Sequence, residues 1–337
     1  MTGERVTTVA ALEVLRRHGH HSSAALALNR DTRHFSVPGL DGLIAYRTAG
    51  RRHAVQIGSV YAARDDQPRL LDAFLRWAHD QGRRLCAVQL TRADLALYAA
   101  AGYRLSQLGA SYSIELDRFR LTGRKFEKVR NKLARSRRAG ISVTEVGTDP
   151  PYDERLAATL DALDARWLAG KGRHVKQIEF LVGERDRPGE PLRRLFVAYS
   201  GGEPVAYASY SPAFGRESGW LYDIARRDPA GPPGAIDLIF VEALRRFRQE
   251  GATWLHLGLT PFRELSDGHR PPGGAHRGTE RLVSLIAAHG EWIYPARSQA
   301  EFKGKWQPSR IEPEYVGFHP SVSLAAVWRL LRLTRAV

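Results

Sequence analysis

Gly219–Phe262 reads GWLYDIARRDPAGPPGAIDLIFVEALRRFRQEGATWLHLGLTPF. Gly219–Ile224 is apolar and aromatic, as a buried strand requires. Asp-Pro, Gly-Pro-Pro and Gly then break the chain. From Ala235 to Glu250 apolar residues recur every three or four positions, which predicts a helix. Trp254–Leu259 returns to strand composition. The order these residues predict is strand, turn, helix, strand.

Working outward, Leu195–Tyr199 and Val205–Ser211 are strands joined by the Gly201-Gly202 hairpin turn. Asp153–Leu168 is a long helix with Asp153 placed to start it. Three antiparallel strands, a helix and a further strand follow the plan of an N-acetyltransferase-like (GNAT) α/β unit. The first half repeats the plan loosely. His34–Val37, Gly42–Arg47 and Ala54–Ile57 are short strands, Arg69–Gln81 an amphipathic helix and Leu85–Leu90 a strand, with Ala93–Ala100 helical and two further strands in 101–116. The expected fold class is therefore α/β: tandem GNAT-like domains, with mixed, mostly antiparallel sheets flanked by helices, joined by a basic helix. Its divisions are residues 1–120, the linker 121–143, the catalytic unit 144–320 and an amphipathic helix 321–337.

The linker contains Arg124–Gly140, RKFEKVRNKLARSRRAG. Phe126, Val129 and Leu133 share one helical face, basic residues fill the others, and Gly140 is a natural stop. The chain carries a formal net charge of +15, unevenly spread: +6 in 1–120, +7 in 121–143 and +2 in 144–337. So local a cationic patch suits a polyanion, either nucleic acid or an anionic membrane surface met peripherally. No stretch approaches the ~18–20 consecutive apolar residues of a membrane span, and the N-terminus lacks a signal-peptide pattern. A cytoplasmic location is expected. The single cysteine, Cys86, excludes an internal disulfide, and the histidines show no metal-ligand spacing. No metal is expected.

Three places can carry chemistry. In CoA-dependent acetyltransferases a Gly-rich loop at this place, at a helix N-terminus, grips pyrophosphate through backbone N–H groups. Here Pro232 and Pro233 remove two of those donors, so the turn suits CoA poorly. Asp223 is a carboxylate in an otherwise apolar strand and is suited to accept a proton or hold an ammonium, unless it pairs with Arg226 or Arg227. Glu301–Pro308, EFKGKWQP, sets Lys303 and Lys305 two residues apart. On an extended segment they would share a face and suit a phosphate or oxyanion, with Trp306 placed to stack on a base or shield the site. His256 faces opposite to Leu255 and Leu257, where a satisfied core histidine is the bland alternative.

Together these motifs resemble the cytosolic C-terminal region of phosphatidylglycerol lysyltransferases, the aminoacyl-phosphatidylglycerol synthases. The similarity lies in ALEVLRRHGHHSSAALAL with LIAYR, in AAGYRLSQLGASYSIELDRFRLTGRKFEKVRNKLARSRRAGI, in Trp167, Lys171, Glu179, Phe180 and Gly183, in the 219–262 block and in EFKGKWQP with YVGF. The resemblance implies transfer of an amino acid from aminoacyl-tRNA to a hydroxyl or amine of phosphatidylglycerol or a small natural-product intermediate. CoA and metal are not expected cofactors. Asp223, Lys303 and Lys305 become the candidate catalytic residues. Trp167, Lys171, Glu179, Phe180, Arg226, His256, Gly258, Thr260, Pro261 and Trp306 become candidate substrate contacts. Arg124, Lys125, Lys128, Arg130, Lys132, Arg135, Arg137 and Arg138 would hold tRNA. The competing functions are an acyl-CoA-dependent N-acyltransferase and a non-catalytic module binding RNA or anionic membrane.

Overall fold

The computed structural model describes residues 7–147, 150–170, 182–190, 192–271 and 296–321. The first half runs α1 (Thr8–His18), a 3-10 turn (Ala24–Leu28), β1 (Arg33–Phe35), β2 (Gly42–Ala49), β3 (His53–Ile57), β4 (Tyr61–Ala62), α2 (Gln67–Asp80), β5 (Arg84–Leu90), α3 (Leu95–Ala100) and β6 (Arg104–Glu115). A 3-10 turn, Arg124–Phe126, leads into α4 (Glu127–Arg138). Then come β7 (Ser142–Val146), α5 (Glu154–Gly170), β8 (Arg194–Ser200), β9 (Glu203–Ala213), β10 (Gly219–Arg227), α6 (Ala235–Gln249), β11 (Trp254–Pro261), α7 (Ala296–Gly304) and β12 (Arg310–His319). Asp153 caps α5 as expected, its Oδ1 accepting from the Leu156 N–H at 2.8 Å.

The halves share one sheet. Its strand order is β1-β2-β3-β5-β12-β6-β11-β10-β9-β8-β7, with β4 on β2. The join is β6 against β11, antiparallel from Glu115↔Trp254 to Gly109↔Pro261. The sequence suggests two strands in 101–116, but β6 is one long strand that reaches across both halves. Chain end and chain start also interlock: β12 inserts between β5 and β6. Among the described residues each half has one parallel pair bridged by a helix, β3/β5 across α2 and β10/β11 across α6, as parallel strands require a crossover. That pairing makes the halves structural repeats.

The basic helix is packed, not free-standing. Phe126 and Leu133 are buried in the core that also holds Phe240, Phe247 and Trp306, and Val129 packs partly against it. Ser136 donates its hydroxyl to the Pro233 carbonyl at 3.1 Å, fixing α4 to the turn before α6. Gly140 follows with φ +76, where a side chain would be strained. Opposite this seam, Arg124, Lys125, Lys128, Lys132, Arg135, Arg137 and Arg138 are exposed and Arg130 half-buried. Past residue 321 the expected helix 321–337 lies outside the described residues.

Candidate active site

In the second half β10 and β11 pair only over Gly219–Leu221 and Trp254–His256. Beyond that point β10 stays with β9 and β11 with β6, so the two strands diverge. Both strands have register shifts where they part, β10 between Tyr222 and Ile224 and β11 between His256 and Gly258. Gly258 has φ +72, a conformation that glycine adopts without strain. In the described first half the parallel pair instead stays closed past Ile57, the Gly58 N–H donating to the Val88 carbonyl at 3.0 Å. Past Ile57, buried Gln56 donates to the Gly58 carbonyl at 3.1 Å and to the Tyr98 hydroxyl, and Tyr61 lies against Gly58.

Asp223 is the residue displaced by the β10 bulge. Its Oδ1 accepts from the Gly183 N–H at 2.5 Å and its Oδ2 from the Ser211 hydroxyl. Burial pushes its pKa up, against the pull of the Arg193 guanidinium and these two hydrogen bonds. The alternative of a pairing with Arg226 or Arg227 is not what forms. Arg226 instead lies over the Trp167 ring, 4.0 Å from its centroid, with Asp164 at 4.0 Å. Asp164 also accepts from the Tyr207 hydroxyl at 2.6 Å.

The two lysines depart from expectation. Lys303 sits in the last turn of α7 and Lys305 just past its end, so they are not on an extended segment and do not share a face. Lys303 is 5% exposed. Its Nζ donates to the carbonyls of Gly258 and Leu259 at 2.8 and 2.9 Å. An ammonium has three donors, and burial lowers the Lys303 pKa to about 7. Lys305 reaches a different place: with Lys132 (2.6 Å) it flanks Asp237 in the first turn of α6. Burial lowers its pKa although Asp237 opposes the shift.

Trp306 is not available to stack on a base. It is fully buried, its ring stacked on Phe240 at 4.1 Å. The i, i+4 pair Phe302 and Trp306 is the sequence signal that betrays the helix here. His256 is a satisfied core residue. Its Nε2–H donates to the Glu217 carbonyl (2.9 Å) and its Nδ1 accepts from Ser113 (2.8 Å), while burial lowers its pKa to about 4. Thr260 is buried, with no partner for its hydroxyl among the described residues, and Pro261 is half-buried beside it. Lys171, Glu179 and Phe180 lie outside the described residues. Asn29, Arg193, Ser211 and Asp237 were not legible as site residues, because their roles depend on partners distant in sequence. His21, half of a histidine pair in a loop, is half-buried against Glu314 at 3.1 Å.

The sheet, its two parallel crossovers and the diverging strands define a tandem N-acetyltransferase-like α/β protein. The model of the family "Phosphatidylglycerol lysyltransferase, C-terminal" matches residues 12–318, and the chain belongs to that family. The phosphatidylglycerol lysyltransferase of Bacillus subtilis (strain 168) is 24% identical over 335 residues, covering 98% of this chain. A lysylphosphatidylglycerol biosynthesis bifunctional protein of Mycolicibacterium vanbaalenii is 25% identical over 97% of it. This chain spans only 37% and 29% of those relatives' lengths. The structure of L-PGS from Bacillus licheniformis superposes with a TM-score of 0.79 at 26% identity, covering 99% of this chain and 98% of that one.

Proposed function

We propose that the chain is an aminoacyltransferase that moves an amino acid from aminoacyl-tRNA to a hydroxyl, with phosphatidylglycerol as the acceptor favoured by family membership. The observation that carries the reading is the wedge itself, lined by an enclosed carboxylate on one strand and capped on the other by a lysine with a pKa of about 7. The ester of a charged tRNA is already activated, so the residues need only align, move a proton and stabilise charge. Asp223 anchors the α-ammonium of the aminoacyl group. Neutral Lys303 takes the proton from the acceptor hydroxyl as its oxygen attacks the ester carbonyl. The tetrahedral intermediate collapses, the bond to the ribose oxygen breaks, and Lys303 returns the proton to that oxygen. The exposed face of α4 holds the tRNA backbone.

CoA fits less well. Pro232 and Pro233 lack N–H groups, and Asp237 already places a carboxylate at the N-terminus of α6, where an anion would have to bind. Contact with an anionic bilayer is the second use of the α4 surface.

The test is discharge of radiolabelled aminoacyl-tRNAs by purified protein, with phosphatidylglycerol vesicles, neutral vesicles or small-molecule hydroxyl and amine acceptors. Expected is labelled aminoacyl-lipid with phosphatidylglycerol only. Label in a small acceptor alone would retain the donor and replace the acceptor. Discharge no faster than spontaneous hydrolysis for every tRNA would end the proposal.

A further inference from the structure

Asp223 is held by a closed ring of hydrogen bonds, and the ring passes through the other half of the molecule. The Gly183 N–H donates to Asp223 Oδ1 at 2.5 Å. One residue back, the Val182 carbonyl accepts from Asn29 Nδ2 at 2.9 Å. Asn29 Oδ1 accepts from an Arg193 terminal nitrogen at 2.7 Å. Arg193 Nε donates to Ser211 Oγ at 3.1 Å, and Ser211 donates onward to Asp223 Oδ2. Asn29 is the residue just after the 3-10 turn Ala24–Leu28 of the first half. Every other member belongs to the second half.

Each member has its orientation forced. Arg193 is buried with its guanidinium divided among three acceptors, since its other terminal nitrogen donates to Asp186 at 2.6 Å. Ser211 accepts from Arg193, so its single proton is directed at Asp223. Asn29 uses its amide as both acceptor and donor, which fixes the flip. Among the described residues the charged groups facing Asp223 are Arg193 and Glu184. Glu184 is in turn held from the first half by the Arg30 N–H at 3.0 Å and by Arg47 at 3.7 Å.

We propose that Asn29 and Arg193 are positioning residues for Asp223, so that the first half sets the orientation of the carboxylate that anchors the substrate amine. Cutting the ring at Arg193 removes a cation and frees the Ser211 hydroxyl to turn. Cutting it at Asn29 releases both Arg193 and the Val182–Gly183 peptide. In either case Asp223 loses alignment and part of the charge that favours its ionised form. The inference rests on Asp223 as the ammonium anchor.

The test compares Arg193→Gln, Asn29→Ala and Ser211→Ala with wild type in the full chain, with thermal unfolding as the control for folding. Two readouts are needed: the pH profile of kcat/KM for aminoacyl-tRNA discharge, and the carboxyl ¹³C titration of Asp223, assigned by its loss in Asp223→Asn. Expected for Arg193→Gln is a fall in kcat/KM of roughly tenfold or more, the scale of one lost hydrogen bond to a charged group. Its acid limb and the Asp223 titration should both move to higher pH. Asn29→Ala should move both in the same direction by less, and Ser211→Ala provides the same reading if a ring variant fails to fold. Folded variants with unmoved titrations and profiles would overturn the positioning role. Moved titrations alongside an active Asp223→Asn would keep the ring and remove the anchor.

Discussion

Gly183 lies directly on Asp223: a Cβ built on Gly183 would stand 1.7 Å from Oδ2 and 2.2 Å from Cγ. No rotation of the carboxylate relieves such an overlap while the Gly183 N–H keeps its hydrogen bond. Gly183→Ala is therefore expected to expel the Asp223 side chain from its present position. A displacement of about 1 Å at a site of this kind lowers turnover roughly 10²-fold. Single-turnover discharge rates of the variant, beside its unfolding midpoint, check this. Near-native turnover would show that the position of Asp223 is not critical.

Burial of Lys303 has a consequence for pH. An ordinary lysine titrates at 10.5, and here the value is about 7. Between those values the unfolded chain holds a proton that the folded chain has released. Stability contributed by this group is therefore present above about pH 10.5 and lost as pH falls toward 7, by about 1.4 kcal/mol per unit. Lys303→Met should remove that slope from the pH dependence of urea unfolding, seen as the difference between wild type and variant. Activity gives a separate test. A guanidinium does not deprotonate, so Lys303→Arg should lose roughly 10²–10⁴-fold if the lysine moves a proton. Retained activity would assign it to charge stabilisation alone.

How legible was this site in the sequence? Asp223 stood out because a carboxylate in an apolar strand has few uses, and the β10–α6–β11 skeleton showed through periodicity. For Lys303 and Lys305 a spacing of two suggests a strand, whereas Phe302 and Trp306 at a spacing of four fix a helix. Asn29 and Val182 meet across 153 residues, and no local pattern announces such a pair. The same holds for β12, whose place between β5 and β6 is a matter of tertiary pairing. Gly183 fits the family pattern, but its reason, the close approach to Asp223, is a tertiary contact.

His256 should report structure and not catalysis. Its ring is neutral in the fold, with a pKa lowered from 6.5 to about 4 by burial. Between those values the unfolded chain binds a proton that the folded chain does not. The contribution to stability is complete above pH 6.5 and is lost as pH falls through the window to about 4, roughly 3 kcal/mol in all. His256→Gln should flatten the acid side of the stability profile and leave the pH limbs of discharge unmoved. A shifted acid limb in that variant would place His256 in the chemistry.

The exposed cations of α4 can be separated from the one that is structural. Lys132 pairs with Asp237 at 2.6 Å, whereas Lys128, Arg135 and Arg138 point to solvent on a helix anchored by Phe126 and Leu133. Changing those three to Gln should leave the unfolding midpoint within a degree or two, since exposed substitutions of this kind move stability by about 0.5 kcal/mol or less. Affinity for tRNA should fall, and the slope of log K against log salt should flatten by about 0.7–0.9 for each phosphate that the variant no longer neutralises. Filter binding of one tRNA between low and moderate salt measures both. An unchanged slope would mean that the tRNA lies elsewhere on the protein, and the dense charge of α4 would then be left to an anionic surface, which vesicle co-sedimentation of the same variant would detect.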